Sequence, residues 1–132
     1  MTREDFLDYI AAFNRDDPDG YAKYYADDVS ISYQGGKRTL SGPQAIIDNY
    51  KDIHAKVRQR LEPVFLVVDD TGVAGEMHSS FTALEDVPDF MVHPLKKGQT
   101  VKIHTFVHYD LNAEGKFKAI RSVRHGTLEV PE

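Results

Sequence analysis

The order of hydrophobic and polar residues predicts two helices at the start of the chain. Thr2 and Asp5 have the spacing of a capping box. From there to Arg15 the apolar positions recur every three to four residues, which is the spacing of one helix face, at Phe6, Ile10 and Phe13 with Tyr9 beside them. Asp17 and Pro18 then suit the first turn of a second helix, because aspartate caps helices and proline fits their first position.

Strict alternation replaces the helical spacing at the segment VSISY. Val29, Ile31 and Tyr33 share one face while two serines share the other, which is the period of a strand. The segment QGGKR is predicted to turn. A third helix follows, with Ser41 as its cap and Gln44 completing a capping box, and its apolar stripe runs on through Ile46, Tyr50, Ile53, Val57 and Leu61 until Pro63.

The remainder of the chain is predicted to be strands. PVFLVVDD, VAGEMHSSFTAL, TVKIHTFVHYDL and KFKAIRSVRHGTLEV are separated by the turns DDTG and NAEG and by the segment PDFMVHPLKKG. That last segment exposes Phe90, Met91 and Val92 between two prolines, so we interpret it as a lid or a dimer contact. Helices grouped on one side of a mostly antiparallel sheet predict a single α+β domain over residues 1–132.

Composition narrows the classes of function. The 132 residues include 16 basic and 21 acidic side chains and carry a net charge of −5, which argues against a nucleic-acid or anionic-membrane surface. Without cysteine the chain has no disulfide, thiol nucleophile or cysteine-bound metal. No run approaches the ~20 apolar residues of a membrane span, and the first residues are too acidic for a signal peptide. We therefore expect a cytoplasmic protein.

Three stretches carry a family resemblance: YIAAFNRDDPDGYAKYYADDVSIS, SGPQAIIDNY and the hairpin LNAEGKFKAI. With the order of elements, they resemble the NTF2-like superfamily and, within it, the SnoaL-like and ketosteroid-isomerase-like proteins. The resemblance implies a cone in which three N-terminal helices pack on a curved sheet around a small-molecule pocket. It also implies a homodimer through the sheet face. The superfamily includes isomerases, dehydratases, cyclases, epoxide-opening enzymes and non-catalytic proteins, so the site must decide the function.

The catalytic residues of these relatives match only in part. Tyr9 falls where ketosteroid isomerases place a hydrogen-bond donor, but Tyr33 and Val107 fall where they place two aspartates, which argues against their mechanism. The dehydratase of fungal melanin biosynthesis is similar at Tyr33, and Met77 or His78 falls near one of its histidines.

The last strand leaves its register open. SnoaL-like cyclases and epoxide hydrolases have an aspartate ten residues after the hairpin glycine, and this position is His125. Arg121 shares its face if the strand has no bulge, whereas a shift of one residue would instead place Ser122 and Arg124 inside.

We predict catalytic roles for five residues and substrate binding for six. Alternation along TVKIHTFVHYDL turns its apolar set, with Tyr109, toward the pocket. The catalytic set is Tyr33, Tyr109, His125, Arg38 and Arg121, and the binding set is Tyr9, Phe13, Tyr25, Met77, Val107 and Glu129. The alternatives are core tyrosines with backbone partners, a solvated Arg38, and a histidine and a carboxylate at a strand end.

The histidine spacing predicts no metal site. His104 and His108 lie ~13 Å apart on a strand, too far to share an ion, and with Phe106 they are expected on a dimer face. We therefore predict an isomerase, cyclase or rearrangement catalyst without metal or organic cofactor, acting on a small, largely apolar molecule of secondary-metabolite type. The alternatives are a non-catalytic binding or dimerisation module and a dehydratase resembling the melanin-pathway enzyme.

Overall fold

A computed structural model describes residues 1–33 and 36–131, which form three helices and six strands. The helices are α1 (Arg3–Asn14), α2 (Pro18–Ala22) and α3 (Pro43–His54), and the strands are β1 (Tyr25–Tyr33), β2 (Arg38–Ser41), β3 (Val57–Val68), β4 (Gly72–Ala83), β5 (Thr100–Leu111) and β6 (Phe117–Glu129).

The six strands form one curved sheet in the order β2-β1-β6-β5-β4-β3. Only the β1–β6 pair is parallel among these strands, and it joins the N-terminal part of the chain to the C-terminal strand. The three helices pack on one face, where Phe6, Phe13 and Ile46 are completely buried against strand residues such as Val73 and Phe117. The α+β prediction, with helices on a mostly antiparallel sheet, is confirmed.

The start of α1 agrees with its sequence pattern. The Thr2 hydroxyl accepts a hydrogen bond from the Asp5 backbone, and the Asp5 carboxylate accepts one from the Thr2 backbone at 2.9 Å. The cap of α3 differs from the prediction. Gly42, not Ser41, precedes the helix, with a φ of 87° that favours glycine, and no side chain caps the helix.

The predicted length of α3 was wrong. The helix ends at His54, and Val57 and Leu61 belong to β3, where both face the helices. A spacing of four residues keeps two side chains on one face of a helix and also on one face of a strand, so the stripe alone did not separate the two. Pro63 therefore lies within β3, beside an irregularity of its pairing with β4.

The segment before α3 also differs from its prediction as a plain turn. Arg38 begins β2, a short strand that pairs with β1. The predicted turn QGGKR includes residues 34 and 35, which lie outside the described residues.

Bulges give the sheet its curvature. Val64 is an extra residue on β3 opposite β4, and Lys118 is an extra residue on β6 opposite β5. A bulge bends its strand and increases the local twist, so the sheet wraps around the helices and leaves space between the two layers. Of the helices in residues 1–33 and 36–131, none has the length and apolar character needed to cross a membrane.

Candidate active site in the cavity

A cavity of about 470 Å³ lies between the inner face of the sheet and the helices. This is within the range of small-molecule sites, and most of its wall is apolar. The lining combines aliphatic side chains with phenol, amide, hydroxyl and guanidinium groups, and includes Tyr9, Ile31, Tyr33, Arg38, Asn49, Tyr50, Gln59, Leu61, Met77, Ser79, Ile103, Thr105, Val107, Tyr109, Ile120, Ser122 and Arg124.

The pairing of β6 with β5 fixes the register of the last strand, which the sequence left open. Tyr109 pairs with Ile120 and Val107 with Ser122, so Ile120, Ser122 and Arg124 face the cavity. The extra residue Lys118 shifts the alternation, and a shift of one residue turns every later side chain to the opposite face. Of the two registers that the sequence left open, the structure has the one that places Ser122 and Arg124 inside.

Arg121 and His125 therefore do not face the cavity, and their expected catalytic placement is corrected. Arg121 lies on the outer face of the sheet, where it donates to the Asp110 carboxylate at 2.7 Å and to Nδ1 of His108 at 2.9 Å. His125 lies on the same face with its ring stacked on Phe106, at 3.9 Å between ring centroids.

Four tyrosines bring their rings together at the cavity. The hydroxyls of Tyr33 and Tyr50 are 2.8 Å apart and share a hydrogen bond between β1 and α3. The rings of Tyr9 and Tyr109 pack edge to face, with centroids 6.0 Å apart, between α1 and β5. Because the edges of aromatic rings are positive and their faces negative, such packing fixes the rings and so directs their hydroxyls.

Burial keeps these phenols protonated. It raises the pKa of Tyr9, Tyr50 and Tyr109 well above 10 because the charged phenolate would lose its hydration. Burial also raises the pKa of Tyr33, although the hydrogen bond with Tyr50 and the charge of Arg38 act in the opposite direction. At neutral pH the four hydroxyls are hydrogen-bond donors and weak acids.

Two arginines contribute positive charge to the lining. Arg38, at the start of β2, donates to Oδ1 of Asn49 on α3 at 2.6 Å, and its other terminal nitrogen lies 3.9 Å from the sulfur of Met91. This contact ties the strand to the segment between β4 and β5, from which Met91 and Val92 reach the cavity. Arg124 on β6 is the second arginine of the lining.

A chain of side-chain contacts runs from the surface to the cavity. Nδ1 of His54 lies 2.9 Å from the Asp16 carboxylate, and its Nε2 lies 3.1 Å from Oε1 of Gln59. Gln59 in turn donates to the hydroxyl of Ser79 at 3.3 Å, and both residues line the cavity. Asp16 adopts the left-handed conformation, with a φ of 57°. A non-glycine residue seldom adopts it without compensating contacts, and the contact with His54 is one such compensation.

The other predicted binding residues are divided by the structure. Tyr9, Met77 and Val107 line the cavity. Phe13 and Tyr25 are buried behind the lining: Phe13 packs edge to face on Tyr50, and the Tyr25 hydroxyl has no hydrogen-bond partner among the described residues. Glu129 is on the outer face of the sheet, where it accepts a hydrogen bond from His104 at 2.6 Å. The placement of these last three residues at the cavity is thus corrected.

Several polar lining residues were not among the sequence candidates. Asn49 and Tyr50 lie on α3, and Gln59 and Ser79 lie on β3 and β4. The sequence could have indicated Tyr50 as a lining residue, because it belongs to the apolar stripe of its helix. Gln59 was missed because its segment was predicted to be helical. In the strand that it forms, alternation with Val57 and Leu61 turns Gln59 inward.

Comparison with known proteins identifies the family. No curated protein matches the chain. One solved structure is that of SalBIII, an epoxide hydrolase/cyclase-like enzyme with a role in pyran ring formation in the polyether salinomycin. It has 21% identity and a TM-score of 0.77 over 97% of this chain and 94% of that one. A SnoaL-like polyketide cyclase of Agrobacterium tumefaciens has 23% identity and a TM-score of 0.71 over 95% and 93%.

An LEH-like epoxide hydrolase of M. tuberculosis has 11% identity and a TM-score of 0.71 over 92% of this chain and 80% of that one. At these identities the likeness shows the fold, which is the NTF2-like cone. The model of the SnoaL-like domain matches residues 6–120. The chain therefore belongs to the SnoaL-like domain family.

Proposed function

We propose that this protein is an enzyme that isomerises, cyclises or rearranges a small, largely apolar molecule with a reactive oxygen, using groups of the chain alone. The observation that supports the proposal most strongly is the convergence of four protonated tyrosines and two arginines on one apolar cavity. A substrate of secondary-metabolite type, such as a polyketide fragment, suits its volume of about 470 Å³. The cyclase and epoxide-opening relatives support the same class of reaction.

The proposed chemistry is the stabilisation of charge on a substrate oxygen. When a carbonyl becomes an enolate, or an epoxide opens, the oxygen gains negative charge. The Tyr33 and Tyr109 hydroxyls would donate hydrogen bonds to that oxygen, and Arg38 would add a fixed positive charge. Donors that are already oriented in an apolar site stabilise such charge at little cost of reorganisation.

The balance of the reaction is internal to the substrate. In a cyclisation, a substrate hydroxyl would attack an epoxide carbon while Tyr33 protonates the opened oxygen, and the Tyr33 phenolate would take the proton that the hydroxyl loses. In an isomerisation, Tyr33 would protonate the carbonyl oxygen, its phenolate would take the proton that leaves a substrate carbon, and the reverse transfers would return a proton to another carbon. Tyr33 is suited to the proton donation because the Tyr50 hydroxyl, at 2.8 Å, stabilises the phenolate that forms for an instant. Gln59 and Ser79 would orient a second polar group of the substrate.

A turnover screen with matched variants tests this proposal. The purified chain would be incubated with polyketide-like ketones and hydroxy-epoxides, and products would be followed by mass spectrometry and chiral chromatography. We expect turnover that falls in Tyr33→Phe and persists in Tyr24→Phe. Tyr24 is a suitable control because its hydroxyl donates to Asp8 at 2.6 Å, outside the cavity. Equal turnover in both variants would contradict the assigned role of Tyr33.

A non-catalytic binding module is the second candidate. Among the described residues that line the cavity, none is aspartate, glutamate or histidine, so the site resembles a binding pocket with donors more than one with a strong base. Saturable binding without turnover across the screen would favour the module. The dehydratase alternative loses support, because Met77 faces the cavity while His78 is on the outer face.

We also propose that two copies associate through the outer face of the sheet. Phe65, Val67, Phe106 and Val123 are each more than half exposed there. The face carries both signs of charge, such as Glu62 and Arg121, so it can be complementary to itself. Light scattering at increasing concentration would show a dimer, and Phe65→Ser with Phe106→Ser would shift it to monomer. A cytoplasmic location stays a prediction, to be checked by cell fractionation.

A further inference from the structure

The outer face of the central strands brings three histidines into one row. His78 on β4 pairs with His104 on β5, and His104 pairs with His125 on β6, so the three lie side by side across the sheet. Directly paired residues have Cβ atoms about 5 Å apart, which is within reach of a shared ligand. The rings of His78 and His104 are stacked, with centroids 4.0 Å apart.

Two glutamates complete this group. The carboxylate of Glu76 lies 2.7 Å from Nε2 of His125, and that of Glu129 lies 2.6 Å from Nε2 of His104. A ligand atom from each of Glu76, His78 and His104 can be chosen so that all three lie within 4.8 Å of one another.

One nitrogen of the group is not satisfied. Nε2 of His125 is buried, and it has no hydrogen bond with a described residue although the Glu76 carboxylate is only 2.7 Å away. The contact is therefore an electrostatic approach without hydrogen-bond alignment. A buried polar atom without a partner is costly, and a cation shared by the imidazole and the carboxylate would remove that cost.

We propose that this group binds one zinc ion, with Glu76, His78 and His104 as ligands and His125 or Glu129 at the fourth position. Imidazole nitrogen with carboxylate oxygen is a ligand set that zinc accepts, whereas magnesium and calcium prefer oxygen alone. Tetrahedral zinc needs ligand atoms roughly 3.4 Å apart, as follows from bonds of about 2.1 Å. Side-chain rotations would have to close the difference from the present separation, which is within 4.8 Å.

The zinc site is separate from the proposed active site. His104 faces outward, while its neighbours Ile103 and Thr105 line the cavity on the opposite side of the same strand. The ion would connect β4, β5 and β6 across the sheet and would stabilise the fold rather than contact a substrate. Its binding can therefore be tested without any enzymatic activity.

Spacing along the sequence does not predict this row of histidines, because its members are neighbours only across strands. Along β5, His104 and His108 are too distant to share an ion, as expected. His108 is engaged elsewhere: Arg121 donates to its Nδ1 at 2.9 Å, and its Nε2 lies 3.1 Å from the Asp110 carboxylate. His108 is thus a matched control, an outer-face histidine of the same strand outside the proposed ligands.

Zinc titration of the tag-free chain, after treatment with chelator, tests the proposal. Calorimetry is expected to show one zinc per chain, and cobalt is expected to give the intense visible absorption of a tetrahedral site. His104→Gln and Glu76→Gln should weaken zinc binding by at least tenfold, and His108→Gln should leave it unchanged. Circular dichroism would establish that each variant is folded.

Thermal melting gives an independent readout, because an ion that binds only the folded state raises Tm. Zinc should raise Tm for the parent chain and for His108→Gln, and should raise it less for His104→Gln at the same zinc concentration. The proposal would be overturned if the parent bound no zinc in a saturable manner, or if His104→Gln and His108→Gln bound it equally.

Discussion

The two faces of β4, β5 and β6 place adjacent residues of the same strands in opposite chemical environments. On the inner face, Met77, Val107 and Tyr109 are buried around an apolar cavity. On the outer face, their neighbour Phe106 is half exposed, His78 stacks on His104, and His108 lies 3.1 Å from the Asp110 carboxylate. One residue along the strand thus separates phenol donors in an apolar site from imidazoles suited to a metal ion.

Strand register, more than residue type, therefore decides which side chains of this protein reach the cavity. Five of the six histidines of the chain belong to strands or to a helix that border the cavity, yet no histidine is among the described residues that line the cavity. The tyrosines do the opposite, since four of seven contribute to the lining. The bulge at Lys118 is the feature that sets this division on β6.

Insertion of one alanine between Ala119 and Ile120 should have the largest effect. The added residue would shift the alternation after the Lys118 bulge by one position, turning Ile120 to water and Arg121 into the apolar cavity, and an unpaired buried charge is costly. We expect a loss of about 3 kcal/mol or more in the free energy of unfolding, since this combines two strongly destabilising changes. Urea denaturation followed by circular dichroism measures it.

Lys118→Ala is the control for the insertion, because the side chain is exposed and the register of β6 is unchanged. It should change the free energy of unfolding by less than about 0.5 kcal/mol. An insertion variant as stable as the parent would show that the register of β6 does not decide which of its residues face the cavity.

Tyr33→Phe should have the next largest effect, once a substrate is found. Loss of one preorganised donor to a developing oxyanion reduces kcat by about 100-fold. Tyr33→Phe keeps the aromatic ring, so the fold and the melting temperature should change little. Steady-state kinetics, with Tyr24→Phe alongside, would detect the loss. An unchanged kcat would remove Tyr33 from the reaction.

His54→Phe should have a moderate effect on stability. Phenylalanine retains packing near Tyr50 and Phe13, whose rings lie 5.7 and 5.4 Å from that of His54, but loses the contacts with Asp16 and Gln59. We expect a loss of about 1–2 kcal/mol, the net value of two hydrogen bonds. Urea denaturation would measure it, and substrate KM should rise more than kcat falls because Gln59 is no longer held. A variant with parental stability and KM would contradict this role.

The smallest effect is expected from mild alkali. All seven tyrosines have a raised pKa, mainly because of burial, and those of Tyr21 and Tyr24 reach about 12. Each folded-state pKa exceeds the ordinary value of 10, so the folded state favours neutral tyrosines more than the unfolded state does. The stability that this preference contributes is complete below pH 10 and is lost as the pH rises above it. Tyrosinate absorbance should therefore stay absent through pH 10 and appear together with unfolding. Ionisation of several tyrosines in the folded protein near pH 10 would contradict the raised tyrosine pKa values.

The sequence predicted the fold well because the fold depends on local patterns. The capping box at Thr2, the start at Pro18 and the alternation in β1 each have a period or a spacing that belongs to one structure. Where a pattern fitted two structures it misled: Val57 and Leu61, four residues apart, suit a helix and a strand equally. The start of β3 was consequently missed.

The candidate site was predictable only as far as alternation was regular. Tyr33 and Tyr109 lie on strands whose apolar face is clear, and both line the cavity. Arg121 and His125 follow the Lys118 bulge, which no residue pattern revealed, so the sequence left their face open and their predicted catalytic roles assumed a strand without a bulge. The row of His78, His104 and His125 arises from pairing between distant strands, which spacing along the chain does not encode.

The most direct test of the account is an NMR titration with a bicyclic aromatic ketone such as α-tetralone, observing methyl signals on both faces of the sheet. The inner face is represented by Met77 and Val107, and the outer face by Val67. A ligand-binding cavity on the inner face predicts saturable shifts of the Met77 and Val107 methyls, weakened in Tyr33→Phe, with Val67 unaffected. Shifts confined to Val67, or no shift at Met77 and Val107, would contradict a ligand-binding cavity on the inner face.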